Sequence, residues 1–173
     1  SVWRISRARL PWLLIGMIGG VFGAQVISGF EGGIEKVPEL AFYIPLIMAM
    51  GGNIGVQSSA IVVQSLAKDT NPLGSILKKI ARESIVALIN GAFLSILIFA
   101  IAFAFGSSTL GFVVSISLFA VILVAAIFGT LIPLLLNKYK IDPALATGPF
   151  ITTLNDVVGL FIYFTIGMMM YNL

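Results

Sequence analysis

The 173-residue chain contains no cysteine and no histidine. Their absence removes disulfides, thiolate and imidazole metal sites, axial-histidine haem, and Ser-His or Cys-His catalysis. Charge is also scarce. Lys, Arg, Asp and Glu make up 10% of the residues, against about 25% in a typical soluble domain. Hydrophobic residues make up 59%. A soluble core of this length cannot hide so many apolar side chains, so the natural solvent is a bilayer. The expected class is an all-α integral membrane protein, because spanning helices satisfy their own backbone groups. Soft metals prefer imidazole and thiolate, so an ion handled here should be hard and oxygen-seeking. Nothing in the pattern suggests a nucleic-acid partner, a low-complexity segment, an internal repeat or a second domain.

A spanning helix needs about 20 mostly apolar residues, and five runs qualify. They cover about Leu10–Gly29, Leu40–Ala67, Leu73–Phe105, Thr109–Asn137 and Pro143–Tyr171. Nine basic residues fall on one side of five alternating spans: Arg4, Arg7, Arg9, Lys68, Lys78, Lys79, Arg82, Lys138 and Lys140. Only Lys36 falls on the other. The positive-inside rule then predicts a cytoplasmic N-terminus and an external Leu173. The outer connection between the first two spans carries Glu31, Glu35 and Glu39 against Lys36. That charge of −2 would draw cations to an outer mouth, or simply solvate a loop.

Polar residues inside the spans carry the chemistry. Asn53, Gln57 and Gln64 recur at i, i+4 and i+11 and share one helical face. A lipid-facing amide stripe is costly, so this face is expected to look inward. Interhelical hydrogen bonding is the plainer role for the same residues. In the last span Gly148, Thr152 and Asp156 share a face, with Pro149, Thr153 and Asn155 beside them. Taken as one continuous helix, the span puts Asp156 about 20 Å from Pro143, near mid-membrane. Pro149 would then free main-chain oxygens around residue 145. No basic residue lies in the apolar part of any span, so the counter-charge of Asp156 is a proton or a bound cation. Gly16, Gly19, Gly20 and Gly23 form two overlapping GxxxG spacings, expected to be a packing face. Asn90 reads as interhelical glue, Glu83 as a boundary residue, and Pro45 and Pro133 as kinks.

Two stretches, PLIMAMGGNIGVQSSA at 45–60 and DPALATGPFITTLNDVVGLFIYF at 142–164, resemble the MgtE family of magnesium channels. The likeness extends over essentially the whole chain. It implies a homodimer with five transmembrane helices per chain and a pore at the two-fold axis, lined mainly by spans 2 and 5. The family's ion-binding Asp falls on Asp156, its span-2 Asn on Asn53, and a main-chain carbonyl at Thr152 would help hold the ion's water shell. The expected ion site is therefore Asp156, Thr152, Gly148 and Asn53, with Gln57, Thr153 and Asn155 lining the path. Mg²⁺ is the expected transported ion, and a prokaryotic plasma membrane the expected location. Val56 stands where the family usually has a polar residue. The family's cytoplasmic sensor domains are not in the 173 residues, which reads as one transmembrane domain, the membrane part of a longer protein. A proton- or sodium-coupled transporter is the alternative. An intramembrane enzyme would need a second catalytic group near Asp156, and none is in view.

Overall fold

The computed structural model describes residues 1–68 and 73–173. Among the described residues six α-helices follow one another: α1 Val2–Gly29, α2 Glu31–Lys36, α3 Ile44–Lys68, α4 Leu73–Phe105, α5 Ser108–Lys138 and α6 Pro149–Tyr171. Short 3₁₀ turns, Pro38–Tyr43 and Pro143–Ala146, lead into α3 and towards α6. Among the described residues there is no strand. Five helices of the described residues are long and apolar enough to cross a membrane: α1, α4, α5, α6, and α3 with its leading turn. The chain is a multi-pass, all-α membrane protein.

Burial is arranged around α5, the most enclosed helix. It packs against α3, α4 and α6, while α1 packs chiefly on α6. The core joins Ile47 of α3, Val114, Val121 and Ile122 of α5, and Leu160 and Phe164 of α6. The outer surface is apolar as well. Phe93 is 68% exposed, Ile96 71% and Phe105 86%, as side chains that meet lipid tails should be. The outer connection is folded rather than a loose loop. Phe30 stacks on Phe164 at 5.3 Å, and the buried Tyr163 hydroxyl donates to the Leu40 carbonyl at 2.8 Å. Glu31 begins α2 and Lys36 ends it, the order that complements a helix dipole.

Three local expectations are corrected. The last span is not one continuous helix. Its 3₁₀ turn stops at Ala146, and Gly148 caps α6 at φ 127°. Only glycine adopts that angle without strain. Pro149 follows as the first helical residue, where its missing N–H costs nothing. Pro45 is likewise the second residue of α3, so it opens that helix instead of kinking it. Of the two GxxxG pairs, only Gly19 and Gly23 pack within the chain. They take Thr153 and Leu160 of α6, whereas Cβ atoms on Gly16 and Gly20 would meet nothing within 4 Å.

Candidate ion site

The candidate residues Thr152 and Asp156 stand on one stripe at the start of α6, with Gly148 as its cap. Asp156 is the eighth residue of α6, about 10 Å along the axis from Pro149 at 1.5 Å per residue. Its axial distance from the start of its helix is therefore about half the 20 Å that a continuous helix from Pro143 implies. Thr152 lies one turn before it. The Thr152 hydroxyl donates to the Gly148 carbonyl at 3.0 Å, with Pro149 O at 3.2 Å. The Thr152 amide also donates to Gly148 O, at 3.1 Å. Gly148 O thus already accepts two hydrogen bonds and serves to seat Thr152.

On α3 the opposing surface is glycine. A Cβ at Gly52 would lie 3.6 Å from Thr152 Cγ2 and 3.8 Å from Asp156 Oδ1. Asp156 is half-buried there, and among the described residues it has no hydrogen bond or ion pair. Among those residues, too, no three acidic side chains gather as a metal site. On this stripe α6 presents the Asp156 carboxylate, the Thr152 hydroxyl and main-chain oxygens.

Asn53, Gln57 and Gln64 do share a face of α3, and all three are exposed. Within one chain this face looks out of the bundle, not into it. The inward face of α3 carries Gly51, Gly55, Ser58, Ser59 and Val62. Val56 is half-buried between the two.

Thr153 and Asn155 are placed away from this stripe. Successive helical residues are separated by about 100°, so neighbours of Thr152 and Asp156 turn elsewhere. The Thr153 methyl fills the space over Gly19 of α1. The Asn155 amide presses on Gly55 of α3, where a Cβ could not fit beside Nδ2. Asn155 is 2% exposed, and neither side-chain polar atom has a partner.

The family pattern described as MgtE, divalent cation transporter, matches residues 44–166. The chain belongs to the MgtE family. A protein of Bacillus subtilis named magnesium transporter MgtE is 42% identical over 160 residues, covering 92% of this chain and 36% of the relative. The Thermus thermophilus protein of the same name is 35% identical over the same shares. That of Enterococcus faecalis is 37% identical over 167 residues, 96% of this chain and 37% of its own. The chain thus spans about a third of the length of these relatives, all named as transporters rather than enzymes.

Two features of this MgtE-family chain are not evident from its sequence. Glu83 is tied into the bundle as well as standing near the start of its span. It is 8% exposed and accepts a hydrogen bond from the buried Ser58 hydroxyl at 3.1 Å. It sits next to Arg82 in the chain, which disguises it. The second is the close crossing of α3 and α5, where a Cβ on Gly129 would fall on the Gly55 carbonyl. Its only mark in the sequence is the Ala125-xxx-Gly129 spacing of small residues within an apolar run.

Proposed function

We propose that the chain forms the conducting part of a homodimeric Mg²⁺ channel. Asp156 of each copy is its ion site, and the α3 face of Asn53 and Gln57 lines the water-filled path. One observation carries this reading. Three amides lie uncovered along one face of α3, and close to them a carboxylate that has no partner among the described residues is only half-buried on α6.

The chemistry suits magnesium. Mg²⁺ requires octahedral oxygen coordination at about 2.0–2.1 Å and gives up its waters reluctantly. A site that holds the ion through its water shell needs few direct ligands. It needs charge and well-placed hydrogen-bonding oxygens. Two Asp156 carboxylates from two copies supply −2 and match one divalent ion. Thr152 O and the amides of Asn53 and Gln57 supply contacts to the shell. Thr153 and Asn155 act as packing residues on this reading, and Gly148 seats Thr152. On this reading Ser1 and Lys138 lie inside and Ser107 outside, in keeping with the positive-inside rule. The membrane is the plasma membrane of a prokaryote, as its relatives' sources suggest. The chain works as the membrane domain of a longer protein.

The test is Mg²⁺ binding and flux in liposomes for the wild type, Asp156→Asn and Asp156→Glu. Asn keeps the size and removes −2 from the dimer, so divalent binding and flux should be lost while the fold persists. Glu should retain partial binding with a misplaced carboxylate. Normal Mg²⁺ flux through a well-folded Asp156→Asn protein would end the proposal. Uptake that requires an imposed proton gradient would replace the channel with a coupled transporter.

A further inference from the structure

The cleft between α1 and α6 has two chemically different compartments, one above the other. The first is a cavity of about 390 Å³ lined by Arg9, Trp12, Leu13, Ala144, Thr147 and Pro149. The second, about 240 Å³, is apolar and includes Ile15, Ile18, Phe22, Phe150, Leu154 and Val157. On α1 the lining residues advance by three or four positions, from Arg9 and Trp12 through Ile15 to Phe22. On α6 they advance in the same way, from Pro149 and Phe150 to Val157. Both series are single helical faces, so the two compartments form one groove. From Arg9 to Phe22 it runs about 20 Å at 1.5 Å per residue. A hydrocarbon core of about 30 Å gives each leaflet about half that, plus its headgroup layer. The groove is therefore as long as one leaflet is deep.

Its two ends are matched to the two ends of a lipid. Arg9 is an exposed guanidinium, and among the described residues it has no hydrogen bond or ion pair. No acidic residue lines either compartment. Trp12 stands beside Arg9, and tryptophan with arginine is the pairing found at the headgroup level of membranes. A guanidinium offers a fork of donors that fits phosphate oxygens. We propose that this groove binds one anionic phospholipid, with an acyl chain in the apolar compartment and its phosphate at Arg9. The lipid clamps α1 to α6 around the Gly19–Thr153 contact, three residues before Asp156. This assignment does not depend on which ion the chain carries.

The test counts lipids retained by the purified chain in native mass spectrometry. Phosphatidylglycerol and phosphatidylcholine with identical acyl chains are offered in equal amounts. One phosphatidylglycerol per chain should be retained, preferred by about fivefold, the factor expected for one basic residue at an anionic surface. Arg9→Gln should abolish the preference while leaving the fold intact, since the side chain is exposed. Arg4→Gln, outside the groove, should leave the preference unchanged. Ile18→Trp should fill the apolar compartment and lower retention of both lipids. Equal retention of the two lipids by the wild type would overturn the proposal. So would a preference that survives Arg9→Gln, or one lost as fully with Arg4→Gln. Disulfide capture between copies carrying cysteines at 18 and 154 would show instead that a second chain covers the groove.

Discussion

Among the glycines whose surroundings are described, replacing Gly129 with alanine should be the most damaging single methyl addition. Its Cβ would fall on the carbonyl oxygen of Gly55 and lie 3.1 Å from both the carbonyl carbon and Cα of that residue. These are backbone atoms of a packed helix, so no rotamer change can relieve the contact. Helices α3 and α5 would have to move apart. Overpacking a core costs about 1–3 kcal/mol and occasionally more. A backbone clash belongs at the upper end of that range. Alanine returns up to about 1 kcal/mol through helix propensity, which leaves a net loss of about 2 kcal/mol or more. At roughly 2–4 °C per kcal/mol for a chain of this size, Tm should fall by about 4–8 °C. Gly16→Ala is the control, because nothing lies within 4 Å of its Cβ. It should melt at or slightly above the wild type. Thermal unfolding in one detergent, followed by tryptophan fluorescence, compares the three proteins. If Gly129→Ala melts with the wild type, the close α3–α5 crossing is wrong.

Other substitutions probe other contacts. Gly52→Ala adds a methyl at ordinary contact distances of 3.6–3.8 Å. It should fold with little change in Tm yet weaken Mg²⁺ binding in a titration, because the methyl stands against Asp156; unchanged binding would separate Gly52 from the ion site. For Ser58 and Glu83, a double-mutant cycle with alanine should give a coupling of about 1–3 kcal/mol in unfolding free energy. Additive losses would show that their 3.1 Å hydrogen bond contributes no stability. A cysteine at position 107 should react with an impermeant thiol reagent in intact cells, and one at 138 should not. Labelling of 138 alone would invert the topology.

The sequence was most legible where a residue's solvent alone decides its place. Five apolar runs became five long helices, because lipid forces backbone groups to pair internally. The amide positions 53, 57 and 64 were correctly grouped, since helical periodicity alone determines which residues share a face. Which way that face points was not legible. Periodicity gives relative angles within a helix and says nothing of what packs against it, and here the glycine face of α3 took the interior. The break at Gly148 was hidden for a related reason. Apolar residues continue on both sides of it, and hydropathy does not register a φ of 127°. Asn155 shows the limit most clearly. It adjoins Asp156 in the chain and shares its polar character, yet a rotation of about 100° per residue sends it into the α3 seam.

The outward amide stripe bears directly on assembly. Leaving an amide in an apolar medium without a hydrogen bond costs roughly 2–7 kcal/mol. Three such groups, Asn53, Gln57 and Gln64, would cost on the order of 10 kcal/mol, comparable to the whole stability of a typical folded domain. Lipid contact along this face is thus disfavoured, and water or polypeptide is the better partner for it. Polypeptide alone would bury the amides and leave Asp156 nearby without a counter-charge. Water alone would need a channel wall on its far side. The proposed second copy across a two-fold axis would answer both needs. It would supply the opposite wall, double the carboxylates, and keep a wet seam between identical amide faces. The face that is most expensive for one chain in lipid is therefore the face best suited to enclose a hydrated ion between two.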